Sequence, residues 1–156
     1  ALKMSYHYHR NRGEKRSLFL SLTNSYHGET IGALSVGDVQ LYKETYEPLL
    51  IQCIQTPVPK DQSRKSAQEA LRKLSELLEE RGSEISALIL EPLIQGAGGM
   101  HMYHPAYLEG ARELTRRYGL HLIADEIMTG FGRTGTMFGC EQAGITPDFM
   151  CLSKGL

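Results

Sequence analysis

Leu120-His121-Leu122-Ile123-Ala124-Asp125-Glu126-Ile127-Met128-Thr129-Gly130-Phe131-Gly132-Arg133-Thr134-Gly135, followed by Pro147-Asp148-Phe149-Met150-Cys151-Leu152-Ser153-Lys154-Gly155, is the stretch that decides the fold. A short apolar run ending in two acids reads as a buried parallel strand whose C-terminal end carries functional groups. The second apolar run ends the same way in a lysine. Two neighbouring strand ends then bring a carboxylate, Asp125, and an amine, Lys154, to one crevice.

Upstream of this stretch, Pro105 suits a first helical position, and Tyr107, Leu108, Ala111, Leu114 and Tyr118 form an apolar stripe that Gly119 ends. Ser86-Ala87-Leu88-Ile89-Leu90-Glu91 is another buried strand with an acid at its end. The glycines of Gln95-Gly96-Ala97-Gly98-Gly99 predict a flexible loop. Met100 to His104 separates them from the next helix, so this is not a phosphate loop. From Ser66 to Arg81 the residues Ala67, Ala70, Leu71, Leu74, Leu77 and Leu78 fall at helical spacing, and Gly82 closes the run. Ile51 to Pro59 reads as a short strand with a proline-rich exit, and Tyr42 to Leu50 reads as a loop around Pro48. Leu18 to Leu22 is a strand, and Asn24 to Thr30 is the polar turn after it. Ala1 to Arg12 is a helix that Gly13 stops. Strand, helix, strand at these spacings predicts an α/β fold in which right-handed crossovers build a mostly parallel sheet flanked by helices. Ligands in such sheets sit at the carboxyl ends of the strands, where Tyr26, Glu91, Asp125 and Lys154 fall.

Composition narrows the possible functions. With 41% hydrophobic and 22% charged residues, the chain is one globular domain with enough apolar matter for a core. The net charge is −1 with both signs mixed along the chain, which argues against nucleic-acid and anionic-membrane partners. No apolar run is long enough to cross a bilayer, and the N-terminus has no signal-peptide pattern. Three unpaired cysteines, Cys53, Cys140 and Cys151, predict reduced thiols in a cytoplasmic compartment. His7 and His9 read as a partly exposed polar face, and His101 and His104 as structural turn residues; no metal is predicted. The chain begins at Ala1 and stops at Leu156, and it reads as a segment of a longer protein.

The pairing of acid and amine has a chemical logic. In enzymes using pyridoxal 5'-phosphate, a lysine holds the cofactor as a Schiff base and a carboxylate keeps the ring nitrogen protonated. Taken singly, a strand-end acid is often a helix cap, a lysine after a strand is usually a surface charge, and Tyr26 is an ordinary half-buried tyrosine. The joint pattern favours chemistry.

Asp125 to Gly135, Pro147-Asp148 and Lys154-Gly155 resemble the signature of the class III, or omega, aminotransferases of the fold-type-I pyridoxal phosphate superfamily, and the likeness extends over essentially the whole chain. Within that family, Gln95 to Met100 followed by Met102-Tyr103-His104-Pro105 is similar to the diaminopelargonate synthase branch of biotin synthesis. The resemblance implies that residues 1–156 are the central part of the large cofactor-binding domain. Lys154 would be the Schiff-base lysine and Asp125 the partner of the ring nitrogen. Tyr26 would stack on the cofactor and touch substrate, and His27 and Gly28 would shape the cofactor turn. Glu91 and Glu29 would stand behind the site and orient it, Glu29 in place of a more usual aspartate. Arg133 would line the substrate pocket, although it could equally be a fork bonding loop carbonyls. Met128 stands where many relatives carry a glutamine that touches the cofactor, and Ala97 where amino-acid-specific relatives carry a glutamate. The implied donor is S-adenosylmethionine, the acceptor 8-amino-7-oxononanoate, and the full-length protein a homodimer. The resemblance also implies a glycine-serine phosphate turn before the position of Ala1 and a substrate-carboxylate arginine well after Leu156, so that the 156 residues alone bind cofactor poorly. Two other functions compete: another class III transaminase or an aminomutase with the same cofactor, and a non-catalytic module on the same scaffold.

Overall fold

Every residue of Leu18–Leu22 (β1) and of Ile85–Leu90 (β3) is buried. Continuous apolar strands can bury both faces only between two covering layers. The computed structural model describes all 156 residues and supplies those layers. Its other elements are α1 (Leu2–Asn11), α2 (Ile31–Val36), α3 (Gln40–Lys43), β2 (Cys53–Thr56), α4 (Arg64–Arg81), β4 (Ile94–Gln95), β5 (His101–Met102), α5 (Ala106–Tyr118), β6 (His121–Asp125) and β7 (Phe149–Cys151). Five strands form one parallel sheet in the order β2-β1-β3-β6-β7. No helix is long and apolar enough to cross a membrane.

The main core lies between the sheet and the α4–α5 pair. Leu20, Leu22, Leu88, Leu90 and Leu122 meet Leu74, Leu78, Tyr107 and Leu108 there. Alternate strand residues, Phe19, Ala87, Ile89 and Ile123, point to the opposite face, where Val36 of α2 joins them. The two long helices approach closely at Gly110, where an added Cβ would lie 2.4 Å from Leu71 Cδ1. α4 begins two residues before the expected Ser66 because the Ser63 hydroxyl accepts the Ser66 N–H at 3.1 Å and caps the helix. α5 ends on Gly119 in the left-handed region, as expected.

The structure corrects three expectations and adds one element. Residues 42–50 are not a loop: α3 is followed by a 3₁₀ segment, Glu44–Leu49, whose exposed side chains give no apolar period to read. The glycine run is not a free loop but the turn of an antiparallel β4–β5 hairpin. Its tip is tied down where Asn24 Nδ2 donates to Gly98 O at 2.6 Å, and a Cβ on Gly98 would sit 2.4 Å from Asn24 O. Segment 139–143 forms a 3₁₀ turn that no pattern announced. His9 is not on an exposed face. It is 2% exposed, bonded through Nδ1 to Glu14 at 2.8 Å and through Nε2 to Ser86 O at 3.1 Å, and it seats α1 on the sheet. His101 Nε2 bonds Pro59 O, while His104 Nδ1 accepts the Ala106 N–H and caps α5, so both serve turns.

Candidate active site

Parallel strands end together, and the turns that follow β1, β3, β6 and β7 converge beyond the same sheet edge. A cavity of about 490 Å³ opens there, and Tyr26, His27, Glu91, Asp125 and Lys154 all line it. Asp125, the last residue of β6, is 6% exposed. Its Oδ1 accepts the Ile127 N–H at 3.2 Å, and its Oδ2 lies 2.7 Å from His27 Nδ1. A carboxylate can only accept in this pair, so Nδ1 carries the proton; Nε2 of the same ring is buried without a partner. Glu91, just past β3, ties two turns together by accepting the N–H groups of Tyr26 at 3.1 Å and Gly96 at 2.9 Å. Burial raises the Glu91 carboxyl above its ordinary pKa, and those two N–H groups only partly offset it.

The Tyr26 hydroxyl donates to Glu29 Oε1 at 3.2 Å, and its ring lies 5.1 Å from that of Tyr42. Burial and the neighbouring carboxylate hold the phenol above its usual pKa and keep it a donor. Lys154 lies three residues past β7 with φ +35°, an uncommon conformation for a side-chain-bearing residue. It makes no hydrogen bond or ion pair in the chain, so its amine is free at the cavity wall. The remaining wall is apolar, with Ala97, Met100, Ile127 and Met128 on it. No group of three or more His, Cys, Asp or Glu is placed to hold a metal ion.

The whole chain, residues 1–156, matches the family Aminotransferase class-III. The chain belongs to that family. Among class-III relatives it is 56% identical to the adenosylmethionine-8-amino-7-oxononanoate aminotransferase of Helicobacter pylori, over 100% of this chain and 36% of that protein. It is 46% identical to the enzyme of the same name from Aquifex aeolicus, again over 100% of this chain and 36% of that one. The aminotransferase of that name from Methanocaldococcus jannaschii superposes with a TM-score of 0.88 at 36% identity, covering 99% of this chain and 35% of that one. An amine transaminase from an uncultivated Pseudomonas species, in its PLP-bound form, superposes at 0.92 with 38% identity, over 99% of this chain and 37% of that one. The chain thus spans little more than a third of the length of these relatives.

Within this class-III chain, the cavity gathers six of the residues picked out from sequence: Tyr26, His27, Gly28, Glu91, Asp125 and Lys154. Glu29 is exposed and reaches the cavity only through the Tyr26 hydroxyl. Arg133 is not brought in: it is exposed and borders a separate cavity of about 310 Å³ with Leu93, Tyr103 and Gln142. Two features escaped sequence reading. The His27–Asp125 bond joins residues 98 positions apart, with no local signal beyond His-Gly in a post-strand turn. Glu126, wholly buried, anchors the following loop by accepting from Thr129 Oγ1 and from the N–H groups of Gly139 and Cys140. An acid inside the apolar run around it was the available signal.

Proposed function

We propose that this chain carries the central catalytic groups of a pyridoxal 5'-phosphate-dependent transaminase that moves an amino group from S-adenosylmethionine to 8-amino-7-oxononanoate. On this reading residues 1–156 belong to the large cofactor-binding domain of a longer, homodimeric protein. The observation that carries the proposal is the placing of an unpaired amine, Lys154, and a fixed, nearly buried carboxylate, Asp125, at and just past the ends of adjacent strands around one cavity. The donor set fits the cofactor: a free primary amine for its aldehyde, a carboxylate for its ring nitrogen, an aromatic side chain for its face, and a volume in the range usual for small-ligand sites.

When bound, pyridoxal 5'-phosphate supplies an aldehyde for amines and a protonated ring that draws electrons from the reacting carbon. The protein supplies placement and proton transfer. Lys154 Nζ would hold the cofactor, and its amine, when free, would carry a proton to and from the substrate carbon as general base and acid. Asp125 is oriented in advance by His27 and the Ile127 N–H, so no rearrangement is needed when charge develops. Tyr26, Glu91 and Gly96 form one bonded unit that fixes the wall on which Met128 packs.

The similarity to curated relatives of that name supports the donor and acceptor, and the apolar Ala97–Met100–Met128 wall suits an aliphatic acceptor. Another class-III transaminase is the second reading, supported by the close superposition with an amine transaminase. The test offers the full-length protein S-adenosylmethionine, lysine and simple amines in turn with 8-amino-7-oxononanoate, and measures the diamine formed. Product from S-adenosylmethionine alone is expected; product only from lysine or a simple amine would reject the donor. Asp125→Ala is expected to lose at least about a hundredfold in rate.

A further inference from the structure

β7 has three residues and one strand neighbour, β6, at the edge of the sheet. None of its side chains is fully buried. Strand register is usually fixed by which side chains must go into the core, and a half-buried strand specifies it weakly. Yet Lys154, three residues beyond, works only if the register is exact to the residue. A slip of two positions preserves the facing of every side chain and moves Lys154 by about 7 Å along the sheet. Such a slip would carry the amine away from the ring that Asp125 holds.

The residue just before β7 resists this slip. Asp148 N donates to Leu122 O at 2.9 Å, and Asp148 Oδ2 accepts from Leu122 N at 2.7 Å, so one residue grips both backbone groups of Leu122. Arg112, on α5, adds a two-pronged clamp: Nη1 to Oδ2 at 2.6 Å and Nη2 to Oδ1 at 3.0 Å. The arginine side chain is 11% exposed and the aspartate 30%, so solvent screens the pair only in part. At the other end of the strand Glu126 N donates to Cys151 O, and beside Asp148 the Phe149 ring meets His121 edge-on at 5.2 Å. A ring contact tolerates sliding; a fork closed on a carboxylate does not.

We infer that the Arg112–Asp148 fork is a positioning device for the reaction: it sets the register of β7 on β6 and so places the Lys154 amine against the cofactor. The inference rests on the reading of Lys154 as the cofactor lysine. Neither Arg112 nor Asp148 lines the cavity, so both act through the strand. Burial works to raise the Asp148 carboxyl, but the guanidinium and the Leu122 N–H outweigh it and hold the group below its usual pKa, so the clamp stays closed near neutral pH.

The test uses the full-length protein freed of cofactor, in wild-type form and as Arg112→Lys, Asp148→Asn and Asp148→Ala. Each is mixed with pyridoxal 5'-phosphate, so that the Lys154 amine condenses with the aldehyde and water leaves, and the C=N bond is then reduced with borohydride. Peptide mass spectrometry gives the rate of labelling at Lys154, and visible absorbance gives the pH midpoint of the bound chromophore. All measurements are made well below each variant's melting temperature. Asp148→Ala is expected to label about a hundredfold more slowly, and Arg112→Lys and Asp148→Asn about tenfold, each with a displaced midpoint. Arg112→Lys keeps charge and bulk, so it decides the matter if Asp148→Ala does not fold. Folded variants with wild-type labelling rate and midpoint would overturn the inference. Absence of label on Lys154 in the wild type would instead overturn the assignment of the lysine.

Discussion

Glu126 and Tyr107 are both fully buried, and they have opposite fates when truncated. Glu126 accepts from three donors, so Glu126→Ala strands the N–H groups of Gly139 and Cys140 and the Thr129 hydroxyl. A loss of about 3 kcal/mol or more is expected in urea unfolding, because unmade buried bonds cost more than made ones contribute. The Tyr107 hydroxyl has no partner at all. Tyr107→Phe is therefore expected to leave stability unchanged or raise it by up to about 1 kcal/mol, and a drop of that size would mean the hydroxyl is satisfied after all. Sequence made Asp125 and Lys154 legible because each terminates an apolar run. It could not reveal the partners of Glu126, 13 and 14 residues away in a stretch without periodicity. Nor could it move Arg133 out of the main cavity, since a motif fixes residue order and not the direction a loop takes.

The helices show where pattern suffices and where it fails. α4 and α5 carry apolar stripes, so their existence, faces and C-terminal ends were readable, while both starts were misplaced by one or two residues. Their close contact at Gly110 was not, because the stripe does not say which glycine leaves room for a facing leucine, here Leu71. Gly110→Ala should cost about 1–3 kcal/mol through the clash with Leu71, in spite of alanine's better helix propensity, as thermal melts can check. α1 is a different case. It buries only Ser5 and His9 and is held by polar bonds: Ser5 Oγ to Ser86 Oγ at 2.8 Å and to His121 Nδ1 at 2.9 Å, with His9 between Ser86 and Glu14. Burial and the nearby His9 lower the pKa of His121, with Asp148 pulling against them and Arg112 with them. Its folded pKa lies below the unfolded 6.5, so it takes up protons less readily when folded, and stability falls as pH drops below about 6.5. Glu14, held at about 2 by Arg12 and His9 against an ordinary 4.5, adds stability that is complete above 4.5 and disappears as pH falls toward 2. Urea midpoints should accordingly fall from pH 7 to pH 5, and His121→Asn should flatten that limb of the profile.

At the level of the whole molecule, the sheet order and the site are one fact. Four turns that follow β1, β3, β6 and β7 contribute Tyr26 and His27, Glu91, Asp125 and Lys154, because parallel strands all end at one edge. The gathering of Tyr26, Glu91, Asp125 and Lys154 at one edge was legible from strand–helix–strand spacing; the strand order was not. The strand order has a further consequence for biosynthesis. β1 leaves the ribosome before either of its neighbours, and Phe19 meets Ala87 only after α4 has been made. Until then β1, a five-residue strand of apolar character, can pair within this segment only with the four-residue β2, and its long-range pairing with β3 makes sheet assembly slow. A nascent chain stalled short of β3 should therefore be a client for chaperones that grip extended apolar segments, and it should release them once β3 has emerged.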